Sequence, residues 1–148
     1  MTVLDSRRQQ LRTLFTAMIT AYGCKDFDTF ARYVHEDAVF DWPYLPLREF
    51  PSEVKGRDRF IDISRDGMAS CDGYFHKVQR FYDLVDSDML IVEYRSDTVL
   101  PSGQPYANDY LGILRFDGDL VTYWREYVNP LPIIEAYGLG FSNQAATP

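Results

Sequence analysis

The clearest folding signal in the 148-residue chain is the segment YANDYLGILRFDGDLVTYWREYVNP, residues 106–130. Residues 106–116 and 120–128 are rich in aromatic and branched side chains, which favour strands. The Asp117-Gly118 pair between them is typical of a tight hairpin turn. Asn129-Pro130 ends the second strand, because proline cannot donate to a strand ladder. The segment therefore predicts an antiparallel hairpin late in the chain.

More strand patterns precede this hairpin. Two long ones run from Tyr74 to Tyr82 and from Met89 to Val99, with turn residues at 86–88 between them. An earlier stretch from Ala38 to Trp42 alternates apolar and polar side chains, as a half-buried strand does. The prolines between 43 and 51 predict a long irregular loop after it.

Three helices are predicted in the first half of the chain. Apolar residues at helical spacing run from Leu11 to Tyr22, and Ser6 and Gln9 have the spacing of a capping box before them. A second helix is predicted to begin at Asp26, and a third to span Gly56 to Met68. These helices are expected to pack on the sheet that the strands form.

The order of elements, helices first and an antiparallel meander after, predicts an α+β domain. A short helix from Leu131 to Tyr137 is expected after the last strand, followed by a flexible tail over about 142–148. The length suits one domain, so we expect residues 1–148 to form a single domain.

Composition narrows the function classes. The formal net charge is −7, which disfavours nucleic acid and anionic membranes as partners, since both need clustered Lys and Arg. The chain holds 10 Phe, 11 Tyr and 2 Trp. Tyr and Trp combine a large apolar face with a polar group, which suits a core and equally a pocket for an apolar, oxygenated ligand.

Cysteine and histidine are too few to indicate a metal site. The two cysteines, Cys24 and Cys71, lack Cys-x-x-Cys spacing and are predicted to be reduced packing residues. With only two histidines, a zinc site is poorly supported, and no cofactor is expected. No apolar run is long enough to span a bilayer, and residues 1–8 do not form a signal peptide, so a cytoplasmic location is expected.

Several strings, taken in order, resemble the nuclear-transport-factor-2-like superfamily over roughly residues 8 to 140. Its branches include ketosteroid isomerase, SnoaL-type polyketide cyclases, limonene epoxide hydrolase and the phenazine-biosynthesis A/B proteins. The three strings between residues 106 and 130 are most similar to the final strands of the phenazine and SnoaL-like branches. The strings are residues 26–38, Gly56-Arg57, residues 106–110, residues 115–118 and residues 124–130.

The resemblance implies a cone-shaped domain in which a strongly curved, mostly antiparallel sheet is closed by three N-terminal helices around a pocket. It implies a small-molecule substrate or ligand and a homodimer formed through the sheet. Because this superfamily hosts isomerases, cyclases, hydrolases and pure binders, the fold alone does not name the activity.

Glu126 is the principal catalytic candidate. In the epoxide hydrolases and phenazine proteins an acid at its position points into the pocket, where burial would raise its pKa towards neutrality and suit it to proton transfer. The alternative is a surface glutamate on an edge strand. Arg95-Ser-Asp97 resembles the Arg-x-Asp of limonene epoxide hydrolase, which implies a catalytic row of Asp97, Arg95 and Glu126. The alternative is a cross-strand ion pair on a solvated face.

Departures from two branches limit the chemistry. The residues with which the epoxide hydrolases position water fall at Phe40 and Trp42, which cannot do so. The ketosteroid isomerase base also falls at Trp42, and its oxyanion-hole residues fall at Met18 and Gly112. Asp41 lies beside the missing base, but strand alternation should point it away.

Six further residues are candidates for ligand binding, each with core packing as the alternative. Asn108 and Tyr110 share one strand face and Asp109 the other, and the sequence leaves open which face is inside. A histidine in mid-strand suits proton transfer by its ordinary pKa. The tryptophans and Tyr44 would form a stacking wall. The candidates are Trp42, Tyr44, His76, Asn108, Tyr110 and Trp124.

Together these features predict a cofactor-free enzyme of small-molecule, including secondary, metabolism. It would act as an acid/base isomerase, cyclase or dehydratase on an apolar oxygenated or aromatic substrate. Two alternatives stay open: a non-catalytic small-molecule binding protein, and an epoxide hydrolase with altered water positioning.

Overall fold

The structure is a computed structural model that describes residues 2–48 and 50–137. The predicted flexible tail at 142–148 lies outside the described residues. The elements in chain order are α1 (Val3–Gly23), α2 (Phe27–Ala31), β1 (Val34–Asp41), β2 (Glu53–Lys55), α3 (Arg57–Gly67), β3 (Phe75–Asp83), β4 (Met89–Val99), β5 (Pro105–Asp117), β6 (Leu120–Val128) and α4 (Pro130–Tyr137).

The six strands form one curved, open sheet in the order β2-β1-β6-β5-β4-β3. Neighbouring strands are antiparallel except β1 and β6, which run parallel. The predicted α+β class, with a mostly antiparallel sheet and N-terminal helices, is confirmed. The hairpin predicted at Asp117-Gly118 is present as the turn between β5 and β6, where Gly118 has a φ of 55°.

Helix α1 begins at Val3, and its cap lies four residues before the predicted one at Ser6. Its cap is Thr2, whose hydroxyl accepts a hydrogen bond from the Asp5 amide at 3.1 Å. The Asp5 carboxylate accepts one from the Thr2 amide at 3.0 Å. The predicted start at Ser6 was wrong, because the Thr2–Asp5 pair has the same spacing and satisfies the free amides one turn earlier.

The first half of the sheet differs from the prediction in two ways. Strand β1 begins at Val34, and Val34 pairs with Val121 of β6 before the register shifts towards Val39. The short strand β2 was not predicted, because it has only three residues and lies just after the proline-rich loop. Its Val54 pairs with Phe40, so the end of this loop is tied to the edge of the sheet.

The main core lies between the helices and the inner face of the sheet, which is the face turned towards α1 and α3. A smaller cluster lies under α4 and consists of Leu100, Tyr106, Val128 and Ile133. The main core includes Phe15, Phe30, Phe40, Tyr94 and Leu114, each at most 1% exposed. Residues of both clusters border one cavity, so the fold leaves an opening where its two apolar clusters meet.

The two cysteines have different environments. Cys71 is buried, and its thiol donates to the Met68 carbonyl at 3.4 Å, whereas Cys24 is exposed. The packing role expected of both residues therefore holds only for Cys71. Both are free thiols.

None of the helices within residues 2–48 and 50–137 combines the length and apolar character needed to cross a membrane.

Candidate active site

A cavity of about 330 Å³ opens between the inner face of the sheet, α1, α3, α4 and the proline-rich loop. This volume is at the small end of the range for ligand pockets. Most of its wall is aromatic or aliphatic. Its lining residues are Tyr22, Phe40, Trp42, Leu45, Leu47, Phe50, Phe60, Ile63, Ser64, Gly67, Met68, Tyr74, His76, Tyr106, Tyr110, Trp124, Glu126, Val128, Ile133 and Tyr137.

Strand β6 brings Glu126 to this cavity. Trp124, Glu126 and Val128 alternate along the strand and all line the cavity, as period-two side chains on one face should. Arg125, between them, lies on the outer face and binds Asp41 at 2.8 Å. The expectation that Asp41 points away from the pocket is thus confirmed.

Both carboxyl oxygens of Glu126 are held by protein donors. The indole Nε1 of Trp42 donates to Oε1 at 3.1 Å. The hydroxyl of Tyr94 donates to Oε2. Two donors on separate oxygens fix the plane of the carboxyl group, so Glu126 meets a ligand in one orientation.

Burial raises the pKa of Glu126 to about 7. The hydrogen bonds from Tyr94 and Trp42 favour the charged form and oppose this shift, but desolvation outweighs them. Protonated and ionised Glu126 are therefore both well populated near neutral pH, which is the condition for a group that both donates and accepts a proton.

Tyr94 stands behind Glu126, and it is 1% exposed. Its ring is stacked on that of Tyr110 with 5.1 Å between centroids and 12° between planes. Burial, and then the charge of Glu126, raise the pKa of Tyr94 well above its ordinary value. Tyr94 consequently remains a hydrogen-bond donor to Glu126 across the physiological pH range.

His76 of β3 lines the cavity among aromatic rings. Its centroid lies 5.8 Å from that of Tyr22 and 5.9 Å from those of Tyr94 and Tyr110. Its Nδ1 makes no well-aligned hydrogen bond within the described part of the chain. Burial lowers the pKa of His76 to about 4, against a smaller opposing effect of the Tyr74 backbone. The imidazole is neutral at pH 7 and can exchange hydrogen bonds with a ligand.

The predicted row of Asp97, Arg95 and Glu126 is not formed, and this expectation was wrong. Arg95 binds Asp109 at 3.1 Å and approaches Asp97 at 3.9 Å on the outer face of the sheet, where its side chain is 41% exposed. The acid–arginine–acid arrangement that the epoxide hydrolase resemblance implied is therefore absent from the cavity.

Strand register explains this correction. Glu126 pairs with Gly112 of β5, and Gly112 pairs with Val92 of β4. Residues directly opposite one another share a face, so the even-numbered positions of β4 face the cavity side. Arg95 and Asp97 are odd-numbered and lie on the other face.

The six predicted ligand-binding residues divide into two groups. Trp42, His76, Tyr110 and Trp124 line the cavity. Tyr44 does not: it is 64% exposed, and its ring lies 5.5 Å from that of Tyr127 on the outside.

Asn108 is buried but is not among the lining residues. It donates to the Tyr106 hydroxyl at 2.9 Å and to the Asn129 carbonyl at 3.0 Å, so its amide serves the protein itself. The face that the sequence left open is now fixed: Asn108 and Tyr110 point inwards, and Asp109 points outwards to Arg95.

Tyr94 was missed by the sequence analysis, although a signal for it exists. Glu93, Arg95 and Asp97 mark one face of β4 as polar, and the positions between them are buried. This alternation indicates that Tyr94, not Arg95, faces the interior. The Arg-x-Asp string is one residue out of register with the inner face.

The described residues contain no group of three or more His, Cys, Asp or Glu side chains arranged to hold a metal ion. Within the cavity the titratable candidates for chemistry are Glu126, His76 and the tyrosine hydroxyls.

Comparisons with known proteins agree with this architecture. The model of the SnoaL-like domain matches residues 15–124. The uncharacterized protein YesE of Bacillus subtilis (strain 168) is 31% identical over 119 residues, which cover 79% of this chain and 80% of YesE. The uncharacterized PhzA/B-like protein PA3332 of Pseudomonas aeruginosa is 34% identical over 106 residues, 70% of this chain and 73% of PA3332.

Among solved structures, an LEH-like epoxide hydrolase of M. tuberculosis superposes with a TM-score of 0.71. Its sequence is 18% identical, and the superposition covers 89% of this chain and 92% of the epoxide hydrolase. At this identity the similarity concerns the fold alone. The resemblance predicted from the sequence is confirmed by the family match. The chain belongs to the SnoaL-like domain family.

Proposed function

We propose that this protein is an acid–base enzyme of small-molecule metabolism, an isomerase, cyclase or dehydratase, in which Glu126 transfers a proton to or from a bound substrate. One observation carries the proposal: among the residues that the structure describes, Glu126 is the carboxyl group that lines the aromatic cavity, it is held by two donors and its pKa is raised to about 7. Perturbed acids in clefts are frequent at catalytic sites.

The chemistry that suits this arrangement is proton transfer at a carbon next to a carbonyl group. Ionised Glu126 would take the proton, and protonated Glu126 would return it at the same or a neighbouring atom. Trp42 and Tyr94 would keep the carboxyl group oriented in both states. Neutral His76 would hydrogen-bond the substrate oxygen on which negative charge develops, and the surrounding rings would exclude water.

Deuterium exchange tests this proposal without knowledge of the natural substrate. 2-Tetralone and cyclohex-3-enone carry exchangeable protons next to a carbonyl, and incubation in heavy water followed by mass spectrometry or NMR measures their loss. We expect the protein to accelerate exchange, and Glu126→Gln to reduce that acceleration about 100-fold or more.

Glu93→Gln is the matched control, because it makes the same chemical change on the outer face of β4. It should leave exchange unchanged. Exchange that survives Glu126→Gln within a few-fold, in a protein that is folded, would rule out the role given to Glu126.

A non-catalytic binding protein is the second candidate, and the largely apolar, aromatic wall of the cavity favours it. A binder needs the rings and not the acid. It predicts ligand affinity unaffected by Glu126→Gln and no exchange above the solution rate with either ketone. Trp42 and Trp124 both line the cavity, so ligand binding can be followed by tryptophan fluorescence.

We also propose that the protein is a homodimer that associates through the outer face of the sheet, as the family resemblance implies. Ile91, Leu111 and Ile113 form an apolar stripe there, with Glu93 and Arg125 beside it in the strand register. A two-fold contact would place this stripe against its own copy. Sedimentation should show a dimer, and Ile113→Asp should shift it to monomer.

Val85→Asp is the control for the dimer test, since Val85 lies fully exposed in the turn between β3 and β4. It should leave the oligomeric state unchanged. A wild-type monomer at micromolar concentration would contradict the dimer proposal.

A further inference from the structure

Among the described residues that line the cavity, no side chain is positively charged at neutral pH. Within the described ranges, Glu126 is the one lining residue with a side chain that is charged near neutral pH, and no Lys or Arg lines the wall. Residues 1, 49 and 138–148, which the structure does not describe, include no Lys, Arg or His. The undescribed parts of the sequence therefore have no cationic side chain to add.

Two arginines on strands beside Glu126 are engaged on the outer face of the sheet. Arg48, in the proline-rich loop, is exposed and is not among the lining residues. Arg125 binds Asp41 at 2.8 Å and Arg95 binds Asp109 at 3.1 Å, both on the outer face of the sheet. Serving as a counter-ion for a ligand in the cavity would require such a side chain to leave its partner and cross the sheet.

His76 does not replace these cations. It lines the cavity, but burial among aromatic rings lowers its pKa to about 4, so it carries no charge at pH 7. An anionic ligand would lose its hydration and meet a neutral imidazole, a partly ionised Glu126 and ring faces whose π clouds are negative. A neutral ligand pays no such desolvation cost.

We propose that the substrate of this cavity carries no carboxylate, phosphate or sulfate group, and that the site selects neutral aromatic or alicyclic compounds whose carbonyl or hydroxyl oxygen meets Glu126. This inference rests on the proposed function only for the place at which the ligand binds. It narrows the substrate class by charge, which the fold and the family leave open.

The discrimination should depend on pH, because ionised Glu126 repels an anion more strongly than its protonated form does. The other titratable groups around Glu126 keep one charge state between about pH 5.5 and 8.5: burial raises the pKa of each tyrosine and lowers that of the histidine. Helix α3 contributes Phe60 and Ser64 to the cavity wall, and neither side chain titrates in this pH range. The groups are Tyr22 on α1, His76 on β3, Tyr94 on β4, and Tyr106 and Tyr110 on β5.

The test compares 2-naphthamide with 2-naphthoate, which share a shape and differ in charge. Isothermal calorimetry gives the dissociation constant of each at about pH 5.5 and 8.5 for wild type, Glu126→Gln and Glu93→Gln. We expect the amide to bind about ten-fold more tightly or better at the higher pH, and the ratio to shrink at the lower pH. Glu126→Gln should remove the pH dependence, and Glu93→Gln should keep it.

Equal affinities of the two compounds for wild type at about pH 8.5 would overturn the inference. So would the absence of binding by both, since the inference includes acceptance of a neutral ring system of this size. Its failure is distinct from that of the proposed function. If wild type binds naphthoate as tightly as naphthamide while Glu126→Gln loses ketone exchange, only the charge selection is overturned. If Glu126→Gln retains ketone exchange, only the catalytic role of Glu126 is overturned.

Discussion

Trp42 Nε1 lies 3.1 Å from Oε1 of Glu126, although 84 positions separate the two residues in the chain. Parallel pairing of β1 with β6 brings them together. Phe40 is opposite Trp124 and Asp41 is opposite Arg125, so the next pair in this register is Trp42 and Glu126. The one parallel pair of the described sheet thus places an indole donor beside the acid.

Trp42→Phe should raise the pKa of Glu126 above 7, because a hydrogen bond that favours the charged form is lost. A hydrogen bond to a charged group contributes about 1.5–3 kcal/mol, so we expect a shift of about one pH unit or more. If ionised Glu126 is the base, the acid limb of the pH profile for ketone exchange should move to higher pH. Trp124→Phe is the control, since its indole does not bond Glu126.

Tyr94→Phe removes the second donor and should have a similar effect on the same profile. It should also lower the exchange rate about ten-fold at pH 7, because the carboxyl group loses its fixed orientation. Tyr110→Phe is a stringent control: its ring is stacked on Tyr94, and its hydroxyl bonds Ser96 at 2.8 Å instead of Glu126. Equal shifts in both variants would argue that Tyr94 acts only by packing.

The stability of the fold should report Glu126 independently of any substrate. Its pKa in the folded state is about 7, above the ordinary value of 4.5. Between these two pH values the folded state therefore binds the proton of Glu126 more tightly than the unfolded chain does. The contribution of Glu126 to the free energy of unfolding is therefore full below about pH 4.5 and is lost as pH rises through 7. Glu126→Gln should gain about 1–3 kcal/mol relative to wild type between those pH values.

His76 should show the opposite sign. Its folded pKa of about 4 is below the ordinary value of 6.5, so its contribution is present above about pH 6.5 and is lost as pH falls towards 4. His76→Gln should therefore gain stability relative to wild type at acid pH. Urea unfolding at a series of pH values measures both differences. If the free energy of unfolding of each variant differed from that of wild type by the same amount at every pH, both pKa assignments would be contradicted.

Much of the fold could be predicted from the sequence because its strands alternate clearly. The boundaries of β4 and β6 agree with their patterns, and the turn at Asp117-Gly118 lies where its residues require it. Two features of the first half of the sheet were not predicted, each for a physical reason. Strand β2 has three residues, too few for a pattern, and Val34 extends β1 through pairing with β6, which a local pattern does not reveal.

The site was predicted less well, because a catalytic row needs register between strands that are distant in sequence. Glu126 and Trp42 were each identified, but their hydrogen bond depends on the parallel β1–β6 pair, which no short string encodes. Arg95 and Asp97 were placed by a three-residue resemblance. The alternation of buried and polar positions along β4 puts both residues on the outer face, so a matching string does not ensure that its side chains face the cavity.

Gly112 gives the last prediction, because it leaves room for the side chains behind Glu126. It lies directly opposite Glu126 across β5 and β6. A Cβ at this position would come within 3.1 Å of Tyr94 Cε1 and 3.3 Å of Trp124 Nε1. Both rings are buried in the main core, so they have little space in which to yield.

Gly112→Ala should therefore destabilise the protein by about 1–3 kcal/mol, the usual cost of overpacking a core. It should also lower exchange activity, since a displaced Tyr94 holds the Glu126 carboxyl less well. Gly67→Ala is the control for the stability measurement: it lies in α3, where an added Cβ meets nothing within 4 Å, and alanine should stabilise the helix by about 0.5–1 kcal/mol. If Gly112→Ala kept both wild-type stability in urea and the wild-type pH profile of exchange, the tight packing behind Glu126 would not govern its chemistry.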